Sequence, residues 1–119
     1  MKSLLNKNAI VTGGSKGIGK SVCLALANAG ANVFLLDIDE KNGSKTVKEI
    51  LITNKNSSFY KINVSEEDEW KEFSNFLKNK NKYIDILVNN AGIYLGKEIH
   101  KVSMEEYQKL ISINLTGVY

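Results

Sequence analysis

Residues 9–19 read AIVTGGSKGIG, a short apolar run that ends in glycines and continues into a helical pattern. When a buried strand turns through glycines into a helix, the first N–H groups of the helix face solvent, and the helix dipole adds about half a positive charge there. Gly13 permits a tight turn after the strand, Gly17 lets the backbone approach a diphosphate, and Gly19 lets helix and strand pack closely. The stretch therefore predicts a dinucleotide-binding loop.

The rest of the chain alternates between apolar runs typical of buried strands and apolar residues at helical spacing. The expected strands cover residues 8–12, 32–37, 58–63 and 84–88. The first expected helix runs from Gly17 to a stop at Gly30, and the second covers residues 40–53. The third is expected to begin after a cap at Ser65, and the fourth after a capping box formed by Ser103 and Glu106. Strict alternation indicates parallel strands joined by right-handed crossovers. The predicted fold class is α/β, a doubly wound parallel sheet, in one domain over residues 1–119.

The last helical pattern has no stop signal before Tyr119. We therefore expect the fold to be truncated after the fourth strand, within the following helix. Asn114 falls on the apolar stripe of that helix, so its amide is expected to face the core.

Composition narrows the class of function. The apolar content of 43% and charged content of 24% are typical of a globular protein. The net charge of +3 is spread without a basic block, which gives no case for nucleic acid. No apolar run is long enough to span a membrane. A single cysteine, Cys23, allows no internal disulfide and no cysteine metal cluster, which fits a cytoplasmic location. The single histidine, His100, has no cysteine or acidic pair at the spacing of metal ligands.

A carboxylate follows the glycine loop at the end of the second predicted strand. Asp37 lies 24 positions after Gly13, where a carboxylate can accept the hydroxyls of a ribose whose diphosphate sits on the loop. The alternative is an acidic residue that is simply solvated at a strand end. Loop and carboxylate together favour dinucleotide binding.

A competing interpretation is a P-loop that binds ATP. Residues 14–21, GSKGIGKS, also match the pattern G-x-x-x-x-G-K-S/T, and residues 33–37, VFLLD, resemble a magnesium-binding strand. Local spacing does not separate the two interpretations.

Two further motifs separate them. Residues 89–92 read NNAG after the fourth predicted strand, and residues 113–117 read INLTG. Together with T-G-x-x-x-G-x-G at residues 12–19, they resemble the cofactor loop, the NNAG signature and the asparagine-bearing helix of the short-chain dehydrogenase/reductase family. The resemblance covers the whole chain, which is similar to members such as 3-oxoacyl-(acyl-carrier-protein) reductases. The resemblance implies a Rossmann fold. A P-loop protein needs neither of the last two motifs.

The resemblance implies a role for each matched position. The residues implied to hold the diphosphate and adjoining ribose are Gly13, Ser15, Lys16, Gly17, Ile18 and Gly19. Those implied for the remaining parts are Asp37 for the adenosine ribose, Asn63 and Val64 for the adenine, Asn90, Ala91 and Gly92 for the nicotinamide side, and Asn114 for a catalytic proton relay. The family more often has aspartate at the position of Asn63, although an amide can also accept and donate hydrogen bonds.

The choice of cofactor rests on two residues with opposite charges. Lys16 lies where the family tends to have a base when it uses NADP. Asp37 favours NAD, because a 2′-phosphate would add nearly two negative charges beside a carboxylate. We expect NAD, with NADP as the alternative.

The catalytic serine and the Tyr-x-x-x-Lys pair of this family are absent. The residues four positions after Tyr60, Tyr83, Tyr94 and Tyr107 are Val64, Leu87, Glu98 and Ile111. The resemblance implies a fragment, namely the cofactor-binding half of an NAD(P)-dependent oxidoreductase acting on a carbonyl or alcohol, which forms a homo-dimer or homo-tetramer when complete and does not turn over alone. The alternative is a non-catalytic nucleotide-binding module.

Overall fold

A computed structural model describes residues 2–119. Its strands are β1 (Asn8–Thr12), β2 (Asn32–Asp37), β3 (Ser58–Lys61) and β4 (Ile86–Val88). They form a parallel sheet in the order β3-β2-β1-β4. The Rossmann-like parallel sheet expected from the alternation of strands and helices is thus confirmed.

Four α-helices connect and flank these strands. They are α1 (Gly17–Asn28), α2 (Glu40–Thr53), α3 (Glu67–Asn79) and α4 (Met104–Asn114), and short 3₁₀ turns cover Ile99–Lys101 and Thr116–Val118. The predicted capping box opens α4, with reciprocal bonds of 3.1 and 3.0 Å between Ser103 and Glu106. Within residues 2–119, the helices fall short of the length and apolar character that crossing a membrane requires.

The hydrophobic core lies on both faces of the sheet. Neighbouring residues of a strand point to opposite faces. One face packs Val11, Val33 and Leu35 against Cys23, Ala27 and Ile50 from α1 and α2; the other packs Ile10, Phe34 and Leu36 against Ile62, Phe73 and Leu77. Burial on both faces explains why β1 and β2 read as continuous apolar runs.

The order of the strands determines where a ligand can bind. The chain moves from β1 through β2 to β3 on one side, and then crosses to β4 on the other side of β1. The loops that follow β1 and β4 therefore diverge at the carboxyl edge of the sheet, which is the switch point where doubly wound sheets bind ligands.

The third strand and third helix differ in their ends from the prediction. β3 ends at Lys61 rather than at Asn63, because the Oδ1 atom of Asn63 accepts bonds from the N–H and hydroxyl of Ser65 at 3.1 and 2.7 Å and turns the chain. The predicted cap at Ser65 is wrong: the N-cap position of α3 is Glu66. β4 is likewise shorter than predicted and begins at Ile86.

The last helix also differs from the prediction. It ends at Asn114 and passes into a 3₁₀ turn, instead of continuing to Tyr119. None of the residues of α4, all of which the structure describes, is buried, and the side chain of Leu115 after it is 64% exposed. The expectation that Asn114 faces the core is therefore wrong. Spacing correctly identified an apolar stripe on α4. Within residues 2–119, however, β4 is the edge of the sheet, and no further strand extends the sheet beneath this stripe.

Candidate functional site

A cleft with a volume of about 460 Å³ opens at the carboxyl edge of the sheet. It brings together ten of the twelve residues predicted to bind a cofactor: Gly13, Lys16, Ile18, Gly19, Asp37, Asn63, Val64, Asn90, Ala91 and Gly92. The other two, Ser15 and Gly17, are not among the described residues that line it. Six residues that were not predicted to bind the cofactor complete the lining: Leu36, Ile38, Asp39, Ile62, Ile93 and Ile113.

The glycines of the first loop are required for different reasons. Gly13 has a φ of +64°, and a Cβ atom there would lie 2.8 Å from the Cα of Ala91. A Cβ at Gly19 would lie 2.1 Å from the carbonyl oxygen of Gly13 and 2.4 Å from Nδ2 of Asn90. Gly17 has a φ of +58°, and a Cβ there would meet nothing within 4 Å in the described chain. The backbone at Gly17 thus borders open space, whereas Gly13 and Gly19 are in close contact.

The N-terminus of α1 faces this space. Lys16 occupies the N-cap position and makes no side-chain bond to the helix within residues 2–119. The N–H groups of Gly17, Ile18 and Gly19 open the helix and have no intrahelical acceptor. The first turn carries no acidic side chain, so the positive end of the helix dipole is not neutralised there. The arrangement suits an anionic ligand.

Thr12 and Asn90 join the loop after β1 to the loop after β4. The hydroxyl of Thr12 accepts bonds from the N–H groups of Asn90 and Ala91, both at 3.0 Å. The side chain of Asn90 donates to the carbonyl oxygens of Thr12 and Gly13 at 3.1 and 3.0 Å. Thr12 opens the T-G-x-x-x-G-x-G motif, but sequence reasoning assigned it no role, because the N–H groups that its hydroxyl accepts lie 78 and 79 positions away in the chain.

Asp37 is held at the end of β2 by three donors. Its Oδ2 atom accepts the N–H of Ser15 at 3.1 Å and the hydroxyl of Ser15 at 2.6 Å. Its Oδ1 atom accepts the N–H of Asp39 at 3.0 Å. The N–H and the hydroxyl of Ser15 are therefore directed at Asp37 rather than into the cleft.

A second carboxylate stands beside Asp37 on the cleft wall. Asp39 is the N-cap of α2, and its pKa is lowered by bonds from the N–H of Asn42 at 3.0 Å and from its side chain at 2.6 Å. Lys16 and Lys41 lower the pKa of Asp39 further through their positive charges. This end of the cleft thus carries two carboxylates, with Lys16 also in its lining.

The loop after β3 forms another wall of the cleft. The side-chain carbonyl oxygen of Asn63 accepts two hydrogen bonds from Ser65, so the N–H₂ group is the part of this side chain that is left to donate to another partner. Val64 is positioned by Trp70, whose indole N–H donates to the Val64 carbonyl at 2.9 Å.

Asn114 is bonded to Ile93, which lines the cleft. Its Oδ1 accepts the N–H of Ile93 at 2.8 Å, and its Nδ2 donates to the carbonyl of Ile93 at 2.9 Å. This pair of bonds ties the end of α4 to the segment that follows the NNAG motif. Each amide atom retains one further hydrogen-bonding position.

The two remaining candidate groups lie away from the cleft. Cys23 is fully buried in α1, and burial raises the pKa of its thiol to about 12, so it is a packing residue with little thiolate. His100 is exposed, with its Nε2 atom 3.3 Å from a carboxylate oxygen of Glu98.

Lys20 distinguishes the two interpretations of the glycine loop. In a P-loop this lysine must reach the phosphates. Here its Nζ atom pairs with Oε1 of Glu49 on α2 at 2.9 Å, and Lys20 is not among the described residues that line the cleft. The geometry favours the dinucleotide interpretation.

Comparison with known proteins gives consistent results. The sequence profile of the short chain dehydrogenase family matches residues 7–119. The chain is 34% identical over 114 residues to a cyclopentanol dehydrogenase of Comamonas testosteroni, covering 96% of this chain and 46% of that protein. It is 39% identical over 118 residues to a 3-oxoacyl-(acyl-carrier-protein) reductase of Chlamydia trachomatis, covering 98% and 47%.

A solved structure gives the same picture. The crystal structure of a candidate gluconate dehydrogenase from Agrobacterium tumefaciens superimposes with a TM-score of 0.91 at 32% identity, covering 98% of this chain and 46% of that one. The chain thus spans about half the length of the relatives it matches. Because the family profile covers residues 7–119, which is well over half of the chain, the protein belongs to the short-chain dehydrogenase family.

Proposed function

We propose that this chain supplies the cofactor-binding half of an NAD(P)-dependent oxidoreductase that transfers a hydride between nicotinamide and a carbonyl or alcohol. The observation that carries the proposal is the cleft at the switch point, with the uncapped N-terminus of α1 and the carboxylate of Asp37 along its wall. Members of this family use NAD(P). Relatives named for cyclopentanol, diacetyl and 3-oxoacyl groups support the substrate class.

Each wall of the cleft has a proposed role. The amides at Gly17–Gly19 and the side chain of Lys16 would bind the diphosphate, since N–H groups at a helix N-terminus attract anions. Asp37 would accept a hydroxyl of the adenosine ribose, and Asn63 and Val64 would flank the adenine. Ala91 and Gly92, with Asn90, would lie along the nicotinamide side, where small residues let a flat ring approach the backbone.

Asn114 is the proposed contribution of this chain to proton transfer. Its amide atoms are bonded to Ile93, and the remaining position on each can hold a water in a relay. Nicotinamide, when bound, supplies the hydride chemistry. The tyrosine that exchanges a proton with the substrate in this family has no Tyr-x-x-x-Lys counterpart in the 119 residues. We therefore propose cofactor binding without turnover for this chain alone.

Titration with NADH tests the proposal. We expect the purified chain to bind NADH, measured by calorimetry and by the change in nicotinamide fluorescence, and to leave cyclopentanol unoxidised in the presence of NAD. A folded chain that binds neither NADH nor NADPH would contradict the proposal. If the chain that binds NADH is also monomeric and melts cooperatively, the result would favour the alternative of a stand-alone nucleotide-binding module over a fragment of a longer enzyme.

A preference for NAD over NADP is also proposed. A 2′-phosphate would bring up to two negative charges beside Asp37 and Asp39, against one lysine in the cleft lining. We expect NADH to bind roughly tenfold more tightly than NADPH, and Asp37→Ala to bring the two dissociation constants close together. Glu72→Ala, which removes an exposed carboxylate of α3, is the control. Tighter binding of NADPH than of NADH to the unsubstituted protein would refute this preference.

Lys20→Ala tests the P-loop alternative. A P-loop lysine binds phosphates directly, so its loss would abolish the binding of ATP with magnesium. Because Lys20 pairs with Glu49 instead, we expect only a small loss of NADH affinity, and no binding of ATP with magnesium by either protein. Calorimetric titration with both nucleotides makes the measurement. ATP binding that disappears in the variant would favour an NTPase.

The remaining expectations concern the complete protein. We propose that residues 1–119 form part of a longer single-domain enzyme, since the matched relatives are about twice as long. We propose a homo-dimer or homo-tetramer for it, and a cytoplasmic location, which a single buried cysteine supports.

A further inference from the structure

Ser15 is buried between α2 and the end of β2. Its side chain and backbone are 2% exposed, and those of Thr46 on α2 are 1% exposed. The hydroxyl of Thr46 donates to the carbonyl of Ser15 at 2.6 Å, and the hydroxyl and N–H of Ser15 both donate to Oδ2 of Asp37. Ser15 thus links α2 to the carboxylate on the cleft wall, with its carbonyl bonded to Thr46 and its N–H and hydroxyl bonded to Asp37.

These bonds limit what Asp37 can accept. A carboxylate oxygen accepts about two hydrogen bonds, so the two bonds from Ser15 fill Oδ2. Oδ1 already takes the N–H of Asp39 and has one position left. Asp37 can therefore accept one ribose hydroxyl, through Oδ1, while Ser15 keeps its place.

The same bonds prevent Asp37 from turning away. An aspartate at a strand end with no partners has several rotamers and can swing into solvent. If Asp37 did so, the negative charge next to the ribose would be withdrawn, and a 2′-phosphate could meet Lys16 on the cleft wall. Ser15 opposes this with a neutral donor, so it fixes the carboxylate without neutralising its charge.

We propose that Ser15 is a positioning residue that sets the preference for NAD over NADP by holding the carboxylate of Asp37, and that it does not bind the diphosphate. The inference rests on the proposed function, because it needs a dinucleotide in the cleft. It assigns Ser15 a different role from the one that the family resemblance implies.

The test is a double-mutant cycle read as a ratio of affinities. Ser15→Ala removes the 2.6 Å bond from the hydroxyl and keeps the bond from the N–H. We expect the ratio of the dissociation constants for NADPH and NADH to fall by about fivefold, since bonds to a charged group are among the stronger ones. In the Asp37→Ala background, the same substitution should leave this ratio unchanged. Ser74→Ala, on the exposed face of α3, is the matched control.

The outcomes separate the inference from the proposed function. If Ser15→Ala weakens both cofactors equally in both backgrounds, Ser15 binds the diphosphate and the inference is overturned. If Asp37→Ala changes the ratio but Ser15→Ala does not, the inference fails and the proposed function stands. If the folded, unsubstituted protein binds neither cofactor, both fail.

A second variant keeps the inference testable should Ser15→Ala not fold, as judged by circular dichroism. Thr46→Val removes the hydroxyl that holds the Ser15 carbonyl and keeps the shape of the side chain. It should lower the same ratio. An unchanged ratio in folded Thr46→Val would then count against the inference.

Discussion

Gly19→Ala is expected to abolish NADH binding and to lower the free energy of unfolding by about 3 kcal/mol, at the upper end of the cost of overpacking a rigid site. The added methyl group would lie 2.1 Å from the carbonyl oxygen of Gly13 and 2.4 Å from Nδ2 of Asn90. Neither neighbour can retreat, because the first is backbone and the second is bonded to two carbonyls. The loop after β1 would have to separate from α1, and the cleft would lose its shape.

Gly17→Ala is the matched control for this effect. In contrast to Gly19, a Cβ at Gly17 meets no atom of the described chain within 4 Å, so the cost of the methyl group is that of a left-handed conformation, about 1 kcal/mol. The variant should fold and still lose affinity for NADH, since its methyl group stands where the diphosphate would approach. Urea denaturation and NADH titration of both variants make the comparison. Equal stability of the two would show that the contacts at Gly19 are not limiting.

Local sequence predicted the central part of the fold well and its margins poorly. β1 and β2 are buried on both faces, so their continuous apolar runs predict buried strands without any information from the rest of the chain. The stripe on α4 gives an equally good period, yet Leu115 is exposed and Asn114 points at Ile93. A period indicates which residues share a helix face, but it does not indicate whether another element covers that face.

At the candidate site, local sequence likewise predicted the course of the backbone but not the direction of the side chains. The spacing of Gly13, Gly17 and Gly19 predicted a turn into a helix, and the structure has one. The direction of side chains at that turn depends on contacts between distant parts of the chain. Ser15 meets Asp37 from 22 positions away, and Lys20 meets Glu49 from 29 positions away. The first contact removes Ser15 from the cleft, and the second removes the ambiguity with a P-loop.

Asn90→Ala is expected to have the second largest effect. Asn90 is half-buried, and its Nδ2 atom donates to the carbonyls of Thr12 and Gly13, which join the loops after β1 and β4. Leaving these acceptors without a partner should cost about 2 kcal/mol of the free energy of unfolding. NADH affinity should fall as well, because Ala91 and Gly92 would no longer be held against the first loop. The neighbour Asn89 is exposed, so Asn89→Ala should change stability by less than about 0.5 kcal/mol.

Asn90→Asp sharpens the test, because it keeps the shape of the side chain and replaces donors by acceptors. An ionised carboxylate would face the carbonyl oxygens of Thr12 and Gly13, so folding should raise the pKa of the introduced group above its unfolded value of about 3.9. The sign of the linkage follows: relative to the unsubstituted protein, the variant should be most stable below pH 4 and lose stability as pH rises through the folded-state pKa. Denaturation curves between pH 4 and 7 measure this. A difference in stability that does not vary with pH would mean that the Asn90 side chain does not donate to these two carbonyls.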